Sequence, residues 1–152
     1  MNPDLLHSIP FLRDLSPAEI TELAAQFRVA THPRGKILIE EGGPIEAIHV
    51  LCRGVVHARR RSGTKEVLLG RIGVGGFFGE VNLFAQGGAT ASIHVIEEAE
   101  IASIPYPAFR AFMESHPVAG YRIVTRLMEE LCERLRHTTA KLAGNLFWNP
   151  RG

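Results

Sequence analysis

Glycine sets the terms for the middle of this chain. Twelve of the fifteen glycines fall between positions 35 and 88, at 35, 42, 43, 54, 63, 70, 73, 75, 76, 79, 87 and 88, and they cut the sequence into short apolar runs. Ile37–Ile39, Ala47–Leu51, Val55–Arg59, Val67–Leu69, Ser92–Ile96 and Ile101–Ile104 are rich in β-branched and apolar residues and are bounded by turn residues such as Ser62-Gly63. No long helical stretch separates them, which disfavours a doubly wound parallel sheet. Many short strands at regular spacing predict a barrel or double-sheet roll over residues 29–104.

Both flanks change period. In residues 1–28, Ser16-Pro17-x-Glu19 places a cap before a proline at the first helical position and an acid in the first turn, and Ile20, Leu23, Ala24 and Phe27 share one face. Residues 105–148 return to helix, with Pro107 and Pro117 at two starts. From Val124 the apolar positions 124, 128, 131, 135 and 142, with Thr138 in the gap, draw a coiled-coil-like seam about three heptads long. A second stripe at Ile123 and Leu127 predicts that the same helix also packs on the strands. The expected fold is mainly β with flanking helices: a jelly-roll (double-stranded β-helix) barrel with short N-terminal helices and a long C-terminal helix, in one domain, 1–152.

Charge and cysteine usage exclude several classes. Seventeen basic against sixteen acidic residues give a net charge of +1, too little for a strong nucleic-acid or anionic-membrane footprint. No segment reads as a membrane span or a leader, so a cytoplasmic location is expected. Cys52 and Cys132 are eighty residues apart, with neither metal-ligand spacing nor a redox pair, and read as buried structural thiols. The seven histidines form no His-Glu-x-x-His pattern, and no serine sits in a nucleophile elbow. Gly73-x-Gly75-Gly76-x-x-Gly79 lacks the spacing of a dinucleotide loop. No enzyme and no resident cofactor or metal is predicted.

The remaining chemistry concentrates in residues 76–92. A Gly-Glu pair, Gly79-Glu80, leads a short apolar turn and then a run of small and hydroxyl residues, Ala89-Thr90-Ala91-Ser92. Gly79 lets backbone approach a ligand closely, and a carboxylate after such a turn can accept a hydrogen bond from a hydroxyl. The alternative for Glu80 is to accept backbone N–H bonds of its own loop. Leu83–Ala89 is expected to form a helical turn whose free N–H groups suit an anion, extended by Gly87 and Gly88.

The chain runs in order through Leu15-Ser16-Pro17-x-Glu19, Gly35-x-Ile37-Leu38-Ile39, Glu41-Gly42, Gly54-x-Val56, Gly76-Phe77-Phe78-Gly79-Glu80, Phe109, Pro117 and Arg134-Leu135-Arg136. This order resembles the cyclic-nucleotide-binding domain of the bacterial catabolite activator family over essentially the whole chain. The resemblance implies a non-enzymatic sensor for a cyclic nucleotide, cAMP-like, or a related small anion, in a pocket formed by Gly79, Glu80, Val81, Ala89, Thr90, Ala91 and Ser92 with Ala58 and Leu69 from the strands. Glu80 would hold the ribose 2′-hydroxyl, and Thr138 and Thr139 would reach the purine from the long helix. The alternative for the two threonines is a hydroxyl bonded back to its own helix. Across 117–142 the resemblance implies a homodimer.

Two departures stand out. The family's phosphate-pairing arginine falls on Ala89 or Thr90 depending on the gap, and neither is cationic. A charge-assisted bond contributes about 1.5–3 kcal/mol, so its loss weakens binding roughly ten- to a hundredfold. Arg60, on the strand face of Val56 and Ala58, is the best relocated cation, with Arg71 second. A solvated surface is the alternative for the Arg59-Arg60-Arg61 run. The chain also stops at Arg151-Gly152 without a helix-turn-helix, so DNA binding by this chain alone is not expected. Two further readings stay open: a degenerate, ligand-free dimerisation or protein-docking module using the seam and Trp148, and the sensor half of a transcription regulator.

Overall fold

The computed structural model describes residues 1–147, with side chains through Gly144; Trp148 and the final residues lie outside the described part. Helix α1 (Pro3–His7), a 3-10 turn (Pro10–Leu12) and helix α2 (Pro17–Ala25) precede six strands: β1 (Arg28–His32), β2 (Ile37–Ile39), β3 (Ala47–Ser62), β4 (Lys65–Ile72), β5 (Phe77–Phe78) and β6 (Ser92–Pro105). Helix α3 (Val81–Phe84) lies between β5 and β6, and α4 (Tyr106–Ser115) and α5 (Pro117–Phe147) follow them. The α2 start carries the expected cap in full: Glu19 N–H donates to Ser16 Oγ, and Ser16 N–H donates to the Glu19 carboxylate at 2.8 Å.

All six strands pair antiparallel in one sheet of order β1-β6-β3-β4, with β2 added on β6 and β5 on β3. The jelly-roll architecture is as expected, but the hydrogen-bonded path is open and does not close into a barrel. The runs Ala47–Leu51 and Val55–Arg59 are one continuous β3, and the two runs near residues 92–104 are one β6. Register shifts between Leu51 and Val56 explain the false break. Leu51 and Val56, five residues apart, both face the roll interior because the bulged stretch changes the alternation. Gly54 sits in that bulge, where a Cβ would meet the Glu98 carbonyl oxygen at 2.2 Å.

The core divides in two across the sheet. On one face, Ile48, Val50, Ala102 and Ile104 pack under Leu6, Phe11, Leu12, Leu23, Phe109, Phe112 and Ile123 of the helices. On the other, Ile39, Leu51, Val56, Phe78, Ile93, Val95 and Ile101 fill the roll. Helix α5 docks its first half through Ala119, Ile123 and Leu127, and Arg126 Nε adds a 2.7 Å ion pair with Asp14. Cys52 is half-buried, and burial pushes its thiol pKa up. Cys132 corrects the expectation: it is exposed on α5. Among the described residues no helix is long and apolar enough to cross a membrane, and no group of three His, Cys, Asp or Glu is placed to hold a metal.

Candidate functional site

A cavity of about 850 Å³ opens between the roll and the outer half of α5. Its floor is apolar: Ile39, Ile45, Ile72, Phe77, Phe78 and Ile93. Of the residues singled out by sequence, Ala58, Leu69, Gly79, Glu80, Val81, Ala89, Thr90, Ala91 and Thr138 line it.

Three do not. Ser92 lies behind the wall, where its hydroxyl accepts the Glu41 N–H at 2.8 Å. Thr139 points off the cavity and donates to the Leu135 carbonyl at 2.9 Å. Arg60 is drawn to the outside by Glu41, whose Oε1 it meets at 3.2 Å while Glu41 Oε2 accepts the Arg61 N–H at 2.8 Å. Arg71 is exposed and also stands outside the cavity.

The cassette is a tied loop. Gly79, at φ 91°, passes so close to β3 that a Cβ there would sit 2.4 Å from the Ala47 carbonyl oxygen. The helical turn that follows covers Val81–Phe84 rather than Leu83–Ala89. Asn82 Nδ2 donates to the carbonyls of Gly87 (2.8 Å) and Gly88 (3.3 Å), so this stretch is held by its carbonyls. Gly42 N–H donates to the Ala89 carbonyl at 2.8 Å and Ala89 N–H to the Gly43 carbonyl at 2.9 Å, which presses the small-residue run against the turn after β2. Gly88 allows that contact, since a Cβ would lie 2.2 Å from the Gly42 oxygen.

Glu80 is the buried charged residue of the cassette, 5% exposed. A buried carboxylate needs a partner, and the partner comes from α5: Arg134 Nη1 donates to Glu80 Oε1. The guanidinium also stands 5.7 Å from the centroid of the Phe77 ring. Glu130, one turn earlier, has a buried Oε1 without a hydrogen-bond partner. Burial pushes its pKa up, against the pull of Arg134 and with a smaller push from Glu80. At the cavity itself the charged group is the Glu80 carboxylate with the Arg134 guanidinium over an apolar floor, and Glu130 stands behind it, its Oε2 4.0 Å from Arg134 Nη2.

Arg134 is the functional candidate that reading the sequence for a cassette cation overlooks. With His137, Thr138 and Lys141 it forms an i, i+3, i+4, i+7 stripe, and all four line the cavity. The helical neighbours of Thr138 carried that signal. Thr138 itself lines the cavity and donates to the Arg134 carbonyl at 2.9 Å, which leaves its hydroxyl oxygen able to accept.

The comparisons with known proteins agree with this geometry. The chain is 29% identical over 150 residues to the CRP-like cAMP-activated global transcriptional regulator of Mycobacterium tuberculosis, covering 98% of this chain and 65% of that protein. It is 32% identical over 133 residues to glutaminase 1 of Bradyrhizobium diazoefficiens, covering 88% of this chain but 21% of the enzyme. The crystal structure of the Thermus thermophilus catabolite activator protein superposes with a TM-score of 0.81 at 26% identity, over 91% of this chain and 63% of that one. The chain thus spans less than two thirds of the length of each of these relatives. Residues 29–116, more than half of the sequence, match the family model of the cyclic nucleotide-binding domain, and the chain belongs to that family.

Proposed function

We propose that the chain is a regulatory module that binds a cyclic purine nucleotide, cAMP first among candidates, in the cavity between the cassette and α5. The observation that carries this reading is the convergence of buried Glu80, the close-packed Gly79 turn and Thr138 of α5 on one cavity. Glu80 accepts the ribose hydroxyl, and Thr138 meets the base. The phosphate's charge falls to Arg134, which is bonded to Glu80 through Nη1 and has further N–H donors in its fork for the anion. Binding redistributes one ion pair rather than recruiting a free cation, so affinity is moderate. Because Arg134 rides on α5, ligand and helix position are coupled.

The outer face of α5 supports a homodimer. Val124, Met128, Leu135 and Leu142 lie along one stripe and are all exposed in the single chain. The role of the domain in a longer polypeptide, as the sensor half of a transcription regulator or otherwise, belongs to this proposal too.

Titration calorimetry with cAMP and cGMP tests the reading. Saturable heat with one site per chain is expected, and no heat at millimolar ligand sinks it. A second reading, a ligand-free docking module, is favoured by the Glu80–Arg134 pair, which satisfies the buried carboxylate without a guest. It requires that no cyclic nucleotide shifts the melting temperature.

A further inference from the structure

Two side chains of α4 grip the cassette from outside the cavity. Tyr106 Oη donates to the Gly79 carbonyl at 2.5 Å, and Arg110 donates to the Leu83 carbonyl. Neither lines the cavity, whereas Gly79 and Glu80 do. Tyr106 is held at both ends, because its own N–H donates to the Glu46 carbonyl at 2.9 Å at the corner where β6 becomes α4. Gly79 is thus fixed between the Ala47 carbonyl on one side and the Tyr106 hydroxyl on the other.

The peptide plane turns this grip into aim. The Gly79–Glu80 peptide bond is trans, so a Gly79 carbonyl drawn toward Tyr106 directs the Glu80 N–H away from it. Arg110 serves the other end of α3, where a short helix leaves its last carbonyls without helical partners. A guanidinium there satisfies one of them and carries positive charge to the end that favours it.

We infer that Tyr106 and Arg110 are positioning residues of the nucleotide pocket: they set the direction of Glu80 and bind the cassette to α4. This rests on the reading of the cavity as a nucleotide site. Burial pushes the Tyr106 pKa up to about 12, with the Glu80 carboxylate adding to it, so the phenol stays a donor throughout the ordinary pH range.

The test uses Tyr106→Phe, which keeps the ring, and the pair Arg110→Met and Arg110→Lys. Hydrogen exchange of residues 79–85 is measured without ligand, and the Kd for cAMP by calorimetry. Faster exchange confined to residues 79–85 and a roughly three- to tenfold weaker Kd are expected for Tyr106→Phe and Arg110→Met, at a melting temperature close to that of the unaltered chain. Arg110→Lys should recover most of what Arg110→Met loses. Unchanged cassette exchange in both variants overturns the inference, whatever the Kd does. If the unaltered chain binds no cAMP but the cassette still loosens, the nucleotide reading falls and the positioning role stands. If Tyr106→Phe lowers protection across the whole sheet, the Arg110 pair decides, and no difference between Met and Lys there counts against the inference.

Discussion

The two halves of α5 are one helix held by two different means. Ala119, Ile123 and Leu127 are at most 2% exposed and are packed on the helical layer, while Met128, Leu135 and Leu142 are more than half exposed. Beyond Leu131 the helix meets its own chain through the polar stripe over the cavity, above all through Arg134 and Glu80. The first half is fixed by buried area, which is indifferent to ligand. The second is fixed by an ion pair whose acceptor, Glu80, is the ribose partner in the function proposed above. A helix anchored in this way is firm in its first half and, in the proposed function, adjustable in its second.

Substitutions on either side should separate cleanly. Ile123→Ala removes a fully buried side chain from the first half and should cost about 2–5 kcal/mol by urea denaturation, with the cAMP affinity of the remaining folded protein unchanged. His49 of β3 reports on the sheet through pH. It stacks on Phe78, shares a 2.7 Å hydrogen bond with Ser103 Oγ, and burial holds its pKa down at about 4, below the ordinary 6.5. A depressed histidine is neutral in the fold and charges more readily in the unfolded chain. Its contribution is therefore whole above pH 6.5 and is lost as pH falls toward 4, up to roughly 3 kcal/mol. His49→Gln should flatten that part of a stability-versus-pH curve.

In the sensing half the effects should move to ligand. Glu80→Gln should weaken cAMP roughly ten- to a hundredfold in calorimetry while changing the melting temperature far less than Ile123→Ala does. Ala89→Arg supplies a second cation at the cavity wall and should strengthen cAMP roughly tenfold; a loss of binding there would show that the run at Ala89–Ser92 is too tightly pressed on Gly42 and Gly43 to admit it. Leu135→Ser is the mildest. Stability of the single chain should change by no more than about 0.5 kcal/mol, since the side chain is 66% exposed, while sedimentation should show any dimer dissociating.

The same contrast explains what the residues disclosed in advance. The packed half of α5, the α2 cap and the two core stripes were legible because burial imposes a period of 3.6 or 2 on apolar residues. Strand β1 was not, because Arg28–His32 is an outer strand with little buried surface and no alternation to read. The continuity of β3 was hidden by the bulge around Gly54, and that of β6 by the exposed Glu97-Glu98 pair. In the site, the cassette wall from Gly79 to Ala91 could be named, because close backbone approach demands small residues. Arg134 could not be chosen from several arginines, because a long side chain hides its target from linear sequence. Arg60 failed as a candidate for a similar reason: Glu41, distant in sequence, claims it.

The pairing of β3 with β6 has a consequence for how the chain reaches this state. His49 lies opposite Ser103 and Ala58 opposite Ile93, so the sheet's central ladder joins segments dozens of residues apart, and the cassette is the loop that this ladder closes. Such closure is slow and comes late, after the local β3–β4 hairpin has had time to form. The pocket therefore does not exist in partly folded chains. In the proposed function, a nucleotide should bind the finished fold alone, and slow unfolding without hastening assembly.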